Sequence, residues 1–121
     1  MGKKGEDLKE RTKRFALRVI RLYAALPKDK ITQVIGTQLL RSGTSIGAHY
    51  REGLRARSDA EFTSKIEVAL QELEESIYWM ELIVDSGILP EAKMKGLLEE
   101  ANELIAIFVT IVKKIKERTK K

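Results

Sequence analysis

Apolar residues recur every three or four positions through most of the chain, which is the period of an amphipathic α-helix. The period is interrupted near Pro27, Ser58 and Pro90. It predicts four helices, over residues 6–26, 30–54, 59–86 and 91–117. Because short connections place consecutive long helices antiparallel, we expect an all-α, up-down-up-down four-helix bundle that forms a single domain over residues 1–121.

The third helix has the clearest end signals. Ser58 followed by Glu61 is a capping box, which predicts a helix start at Asp59. Gly87 suits a left-handed cap, and Ile88 suits the hydrophobic contact that accompanies it. The predicted apolar seam between these ends consists of Phe62, Ile66, Ala69, Leu73, Ile77, Met80 and Val84.

The second helix carries glycines at helical spacing. A glycine inside a helix costs about 0.8–1 kcal/mol relative to alanine, so each one needs a packing reason. Gly36, Gly43 and Gly47 fall on one stripe, which predicts close approach to the main chain of a neighbouring helix. The positions predicted to serve helix packing or oligomer formation are Gly36, Arg41, Gly43, Ser45, Gly47, His49 and Glu52.

Composition narrows the function classes. The chain has no cysteine, which excludes disulfides and thiolate chemistry and fits a reducing cytoplasm. Its apolar runs are too short for a signal peptide or a membrane span, so we expect a cytoplasmic protein without a membrane partner. The formal net charge is +5, but its distribution is uneven: residues 1–30 carry ten basic and four acidic residues, and residues 61–90 carry one and seven.

The residues give little support to catalysis. His49 is the single histidine, and Ile46 stands three positions before it, so the Glu-x-x-His pair of a di-iron bundle is missing. His49 with Ser45 and Glu52 forms either an acid–base cluster or a polar cluster that fixes helix register, and we favour the second interpretation. We therefore expect no catalytic residue, no metal site and no cofactor.

Basic residues suggest a different role. Arg11, Arg14, Arg18 and Arg21 step by three, four and three, so they form a stripe on one helix face that can follow a phosphate backbone. Alternatively, this face of the first helix meets the acidic third helix of the same or a neighbouring subunit. The arginine stripe alone does not decide between phosphate binding and pairing with the acidic helix. The candidate nucleic-acid contacts are Arg11, Arg14, Arg18, Arg21, Arg51, Arg55, Arg57, Lys113, Lys114 and Lys116, the last three in a basic tail over 113–121.

The segment from Arg41 to Gly53 resembles a known family motif. The pattern Arg-x-x-x-Ser-Ile-x-x-Asn-x-x-Glu-Gly, followed by Arg-x-Ser-x-x-x-Phe, is that of the bacterial four helix bundle protein family. This family includes the 23S rRNA intervening-sequence proteins, or S23 ribosomal proteins, and is similar to the accessory variability proteins of diversity-generating retroelements. The matching residues are Arg41, Ser45, Ile46, Glu52, Gly53, Ser58 and Phe62, while His49 replaces the asparagine.

The resemblance implies a homopentamer without enzymatic activity. For the retroelement branch it also implies a basic surface that binds RNA and a reverse transcriptase. The resulting hypothesis is a non-enzymatic, oligomeric protein that binds RNA or DNA, or an accessory factor of a ribonucleoprotein. The alternative is a protein–protein adaptor or scaffold that binds no nucleic acid.

Overall fold

The computed structural model describes the backbone of residues 4–120 and the side chains of residues 8–120. Four helices account for almost all of this part of the chain: α1 (Lys4–Ala25), α2 (Lys30–Leu54), α3 (Asp59–Asp85) and α4 (Glu91–Thr119). The all-α prediction is confirmed, and each helix end lies within two residues of its expected position. The last residue of the expected basic tail, Lys121, lies outside the described residues.

Local sequence explains where α3 begins and ends. Ser58 accepts a hydrogen bond from the Glu61 backbone N–H, which caps the first turn as expected. At the other end Gly87 adopts φ +83° and donates to Val84 O, while Ile88 donates to Ile83 O. These two bonds form a Schellman motif, in which the left-handed residue satisfies carbonyls that the helix leaves free.

Contacts between helices show that neighbours run antiparallel. Gly36, early in α2, faces Tyr23 in the last turn of α1 and Leu26 just after it, whereas Gly47 faces Thr12 in the first half of α1. Arg118 near the end of α4 pairs with Asp59 at the start of α3. The helices α1 and α3 are diagonal, with no Cα atoms within 8 Å of each other in the described part of the chain. The sequence alternative in which the basic first helix meets the acidic third helix of the same molecule is therefore wrong.

One hydrophobic core runs along the centre of the bundle, and every helix contributes to it. Its fully buried large side chains include Phe15, Leu39, Ile46, Ile66, Leu73, Met80, Ile83, Leu104 and Phe108. The rings of Tyr50 and Phe108 lie 5.7 Å apart between α2 and α4. Burial of these residues holds the four helices in fixed positions and so orients the polar residues outside the core.

The stripe of glycines on α2 forms a seam with α1, and we call Gly36, Gly43 and Gly47 the glycine seam. A β-carbon built at Gly43 would lie 2.8 Å from Val19 Cγ2, closer than real β-carbons come to other atoms. At Gly47 the same construction meets Thr12 Oγ1 at 3.0 Å and the Thr12 carbonyl carbon at 3.7 Å. At Gly43 the glycine seam therefore contacts a side chain of α1, and at Gly47 it contacts both side chain and main chain of α1. These contacts lie within one molecule.

No helix in the described part of the chain combines the length and apolarity needed to cross a bilayer.

Candidate nucleic-acid interface

Arg11, the first residue of the expected arginine stripe, is tied to α4. Its guanidinium donates to both carboxylate oxygens of Glu100, at 2.9 Å from Nε and 2.7 Å from Nη2, and its Nη2 donates to Glu103 at 2.8 Å. Only 18% of the side chain is exposed. The hydrogen bonds with the Glu100 carboxylate raise the pKa of Arg11. This residue therefore joins α1 to α4, and little of it is available to an external phosphate.

Two cations of the α4 tail also have partners within the molecule. Lys116 Nζ lies 3.0 Å from Glu67 Oε2, and Arg118 Nη2 lies 2.9 Å from Asp59 Oδ2. Both pairs are exposed, so each contributes little to stability. They nevertheless place a carboxylate beside Lys116, one of the expected nucleic-acid contacts, and partly offset its charge.

The remaining arginines of the α1 stripe are exposed and have no carboxylate partner among the described residues. Arg14, Arg18 and Arg21 all lie outside the ion pairs of this part of the chain. Arg18 extends toward α4, where its Nη2 would lie 3.1 Å from a β-carbon built at Gly96. The structure thus divides the stripe, with Arg11 anchored and the other three free.

A second group of unpaired cations lies at one end of the bundle, where α2 and α4 end and α3 begins. Lys114 lines a cleft with Tyr50 and Phe62, and Arg57 lines the adjoining cleft that also contains Phe62. The exposed cations here have no ion-pair partner in the described part of the chain, and we call them the end surface: Arg51, Arg55, Arg57, Lys113 and Lys114.

Some carboxylates near the end surface are already engaged. Glu52 pairs with Lys65 at 3.1 Å, and Asp59 pairs with Arg118. The carboxylate of Glu61 accepts a hydrogen bond from the Arg57 backbone N–H at 3.0 Å. Glu52 and Asp59 are therefore paired with cations, whereas Glu61 and the exposed Glu117 form no ion pair among the described residues and keep their negative charge. The positive charge of the end surface is partly opposed from within the molecule.

The polar residues of the family motif join α2 to α3. Arg41 bonds to Glu75 and lies 3.4 Å from Glu72. His49 Nε2 lies 3.8 Å from Glu72 Oε2, and its Nδ1 lies 3.4 Å from Glu52 Oε1. This row of charged groups lies along the contact between α2 and α3.

The arrangement does not form a nucleophilic site. Ser45 Oγ donates to the Arg41 carbonyl of its own helix at 2.7 Å and makes no hydrogen bond with His49. His49 Nδ1 is buried without a hydrogen bond. No group of three or more histidine or carboxylate side chains among the described residues is arranged to hold a metal ion.

Sequence reasoning missed the partners on α3. Ser42 and Ser76 share a buried hydrogen bond of 2.8 Å, and Ser76 also donates to the Glu72 carbonyl at 2.8 Å. Both serines occupy core-facing positions in the apolar stripes of their helices. This placement is the signal in the sequence that could have indicated that they face each other. Their separation of 34 residues hides the pairing from any local pattern.

The ion pairs of α2 with α3 predict an acid dependence of stability. The hydrogen bond from Arg41 lowers the pKa of Glu75, and the bond from Lys65 lowers the pKa of Glu52, both from 4.5. A lowered pKa in the folded state adds stability that is complete above the unfolded value and lost as pH falls through the folded value. We expect the free energy of unfolding to fall as pH drops below 4.5.

Glu75→Gln tests this expectation in urea unfolding. At pH 7 the variant should lose about 0.2–1 kcal/mol, the range of exposed ion pairs. Its pH profile below 4.5 should be shallower than that of the wild type, because one of the responsible carboxylates is gone. Glu74→Gln on the same helix, whose carboxylate has no ion-pair partner among the described residues, is the matched control and should keep the wild-type slope. Equal slopes for the wild type and Glu75→Gln would contradict the assignment.

The fold and the comparison with known proteins identify the class and the family of the molecule. By its fold it is an all-α four-helix bundle protein. The family model described as 23S rRNA-intervening sequence protein matches residues 6–110, and the chain belongs to this family. It is also similar to the crystal structure of a protein of unknown function from the S23 ribosomal protein family of Bacteroides thetaiotaomicron. That similarity has a TM-score of 0.82 at 34% identity and covers 87% of this chain and 97% of the other. The search of curated proteins gave no match.

Proposed function

We propose that this protein is a non-enzymatic nucleic-acid-binding protein, an accessory factor of a ribonucleoprotein, and that its end surface contacts RNA phosphates. The observation that carries the proposal is the cluster of exposed cations without ion-pair partners at one end of the described bundle. Membership of a family defined by an rRNA gene supports RNA as the polyanion. A cytoplasmic location fits this role and the absence of cysteine.

The chemistry of the end surface favours backbone contacts. Arginine guanidinium groups form paired hydrogen bonds with phosphate oxygens, and lysines add point charges. Arg51 lies in the last turn of α2, and Arg55 and Arg57 follow in the short connection to α3, so the three guanidinium groups belong to one end of the bundle. Contacts of this kind position a nucleic acid without reading its sequence.

Charge reversal at the end surface tests the proposal. Fluorescence anisotropy with a labelled RNA duplex in about 50 mM KCl would measure the affinity of the wild type and of a variant with Arg51→Glu, Arg55→Glu and Arg57→Glu. Each phosphate contact contributes on the order of tenfold to affinity at this salt concentration. We expect the triple variant to bind at least about 100-fold more weakly.

The matched control reverses three lysines at the opposite end of the bundle, with Lys28→Glu, Lys30→Glu and Lys93→Glu. It changes the net charge equally and leaves the end surface intact, so we expect a loss of no more than about threefold. Absence of binding by the wild type would overturn the function. An equal loss in both triple variants would overturn the end surface as its site.

We further propose that the protein assembles as a homopentamer and acts as an accessory protein of a retroelement reverse transcriptase. The resemblance of the Arg41–Gly53 segment to the family motif supports both points. Five copies would present five end surfaces to one polyanion, and linked weak contacts multiply in strength. A reverse transcriptase gene beside this one would support the retroelement role, whereas a position inside an rRNA gene would support the intervening-sequence role.

A protein adaptor is the second candidate function. The observation that favours it is the exposure of large apolar side chains on α1 and α3, which nucleic-acid contacts leave unexplained. An adaptor would bind no RNA in the anisotropy experiment above, and the same charge reversals would leave its assembly unchanged.

A further inference from the structure

Two large aliphatic side chains on α1 are exposed. Leu17 and Ile20 have 37% and 44% of their surface accessible. Lys13, Arg14 and Arg21 lie one helical turn from Leu17, and all three are exposed. We call these five residues the basic face. It is an apolar centre with positive charge on both sides.

The outer side of α3 has the opposite charge pattern. Tyr78 is 54% exposed. Glu74 and Glu75 precede it by one turn, and Glu81 and the half-buried Leu82 follow it by one turn. We call these five residues the acidic face. Like the basic face, it is an apolar centre flanked by charge.

Most of the acidic face is not neutralised within the molecule. Glu75 bonds to Arg41 and accepts from the Trp79 indole N–H at 3.2 Å. Glu74 and Glu81 form no ion pair among the described residues. Trp79 packs edge-to-face on Tyr78 with ring centroids 5.0 Å apart.

The fold keeps the two faces apart. The helices α1 and α3 occupy diagonal corners of the bundle, and each face points away from the core. The basic face of a molecule therefore cannot reach the acidic face of the same molecule. It can reach the acidic face of another copy, and this contact would cover the exposed apolar groups while bringing opposite charges together.

We propose that copies of this chain associate head to tail, with the basic face of one molecule on the acidic face of the next. The inference rests on the self-association included in the proposed function and names the surfaces that form it. Such an interface joins two different patches, so it leaves one of each free on the ends of a dimer. Repetition of the contact closes into a ring when the rotation per subunit allows it.

The assignment also separates two roles within the basic residues of the chain. Arg14 and Arg21 belong to the subunit contact, whereas Arg51, Arg55 and Arg57 belong to the end surface. Arg14 and Arg21 lie on α1, whereas Arg51 lies in the last turn of α2, and Arg55 and Arg57 lie in the connection to α3. Loss of one role is therefore measurable without loss of the other.

Two complementary variants test the pairing by sedimentation equilibrium. The first carries Arg14→Gln, Leu17→Gln and Arg21→Gln and keeps its acidic face. The second carries Glu74→Gln, Tyr78→Gln and Glu81→Gln and keeps its basic face. All six positions are exposed, so we expect both variants to fold, and circular dichroism checks this.

We expect the wild type to sediment as an oligomer and each variant alone at the monomer mass of 13.8 kDa. An equimolar mixture should form a one-to-one dimer of about twice that mass and nothing larger, since only one competent pair of faces remains. Val109→Glu, which removes an exposed apolar group from α4, is the control and should leave the wild-type oligomer intact.

A monomeric wild type would overturn self-association. An oligomeric wild type whose variants fail to pair, or still assemble alone, would overturn this choice of faces. Absence of RNA binding by an oligomeric wild type would contradict the proposed function and leave the interface standing.

Discussion

Gly43→Leu is expected to lower the free energy of unfolding by about 3 kcal/mol or more, at the upper end of the range for adding volume to a packed core. A β-carbon at this position already lies 2.8 Å from Val19 Cγ2, and Val19 is fully buried and cannot move away. The larger side chain must therefore push α1 from α2. Thermal unfolding followed by circular dichroism should show a decrease in melting temperature of about 10 °C or more.

Gly96→Ala is the matched control for this prediction. Gly96 is an exposed glycine within α4, and its nearest neighbour is the flexible end of Arg18. Alanine is the better helix former by about 0.8–1 kcal/mol, so we expect unchanged or higher stability. If Gly43→Leu melted at the wild-type temperature while Gly96→Ala behaved as expected, the glycine seam would not be a close contact.

Phe108→Ala is expected to cost about 3–5 kcal/mol, the range for removing a buried aromatic ring. Phe108 is fully buried at the centre of α4 and contacts the ring of Tyr50. Its loss leaves a cavity that the helices cannot fill without moving together. Urea unfolding measures the change from the midpoint, provided that the slope with denaturant stays constant.

The neighbouring residue supplies the comparison for Phe108→Ala. Val109 is 47% exposed, and its truncation to alanine should change stability by no more than about 0.5 kcal/mol. The difference between two adjacent positions tests the orientation of α4. Similar losses at both would show that the helix is rotated from its place in this structure.

Most of the fold was predictable because its signals are local. The capping box at Ser58 and the left-handed Gly87 depend on a few neighbouring residues, so the sequence alone locates the ends of α3. The apolar period identifies the buried side of each helix, but its phase drifts along a long helix. Near the end of α3 the buried residue is Ile83, whereas Val84, which the seam was expected to include, is half-buried.

The candidate site was less predictable because it depends on contacts between distant residues. Helical spacing placed Arg11 beside Arg14 and Arg18 on one stripe, but it carried no information about Glu100, 89 residues away. The same limit applies to Lys116, whose partner is Glu67. Only the three-dimensional arrangement separates cations that are paired within the molecule from those that are free.

The charge segregation seen in the sequence persists in the fold. The acidic third helix does not neutralise the basic first helix, since the two are diagonal. Free positive charge therefore collects on α1 and at the end surface, and free negative charge collects on α3. This distribution underlies both proposals, one for a polyanion and one for a second copy of the chain.

The salt dependence of RNA binding tests the central claim most directly. If the five residues of the end surface each neutralise one phosphate, log K should fall linearly with log salt, with a slope of about −4 to −5 on duplex RNA. The variant with Arg51→Glu, Arg55→Glu and Arg57→Glu should lose about 3 from the magnitude of that slope. A wild-type affinity that does not respond to salt, or the same slope in the variant, would contradict phosphate binding by the end surface.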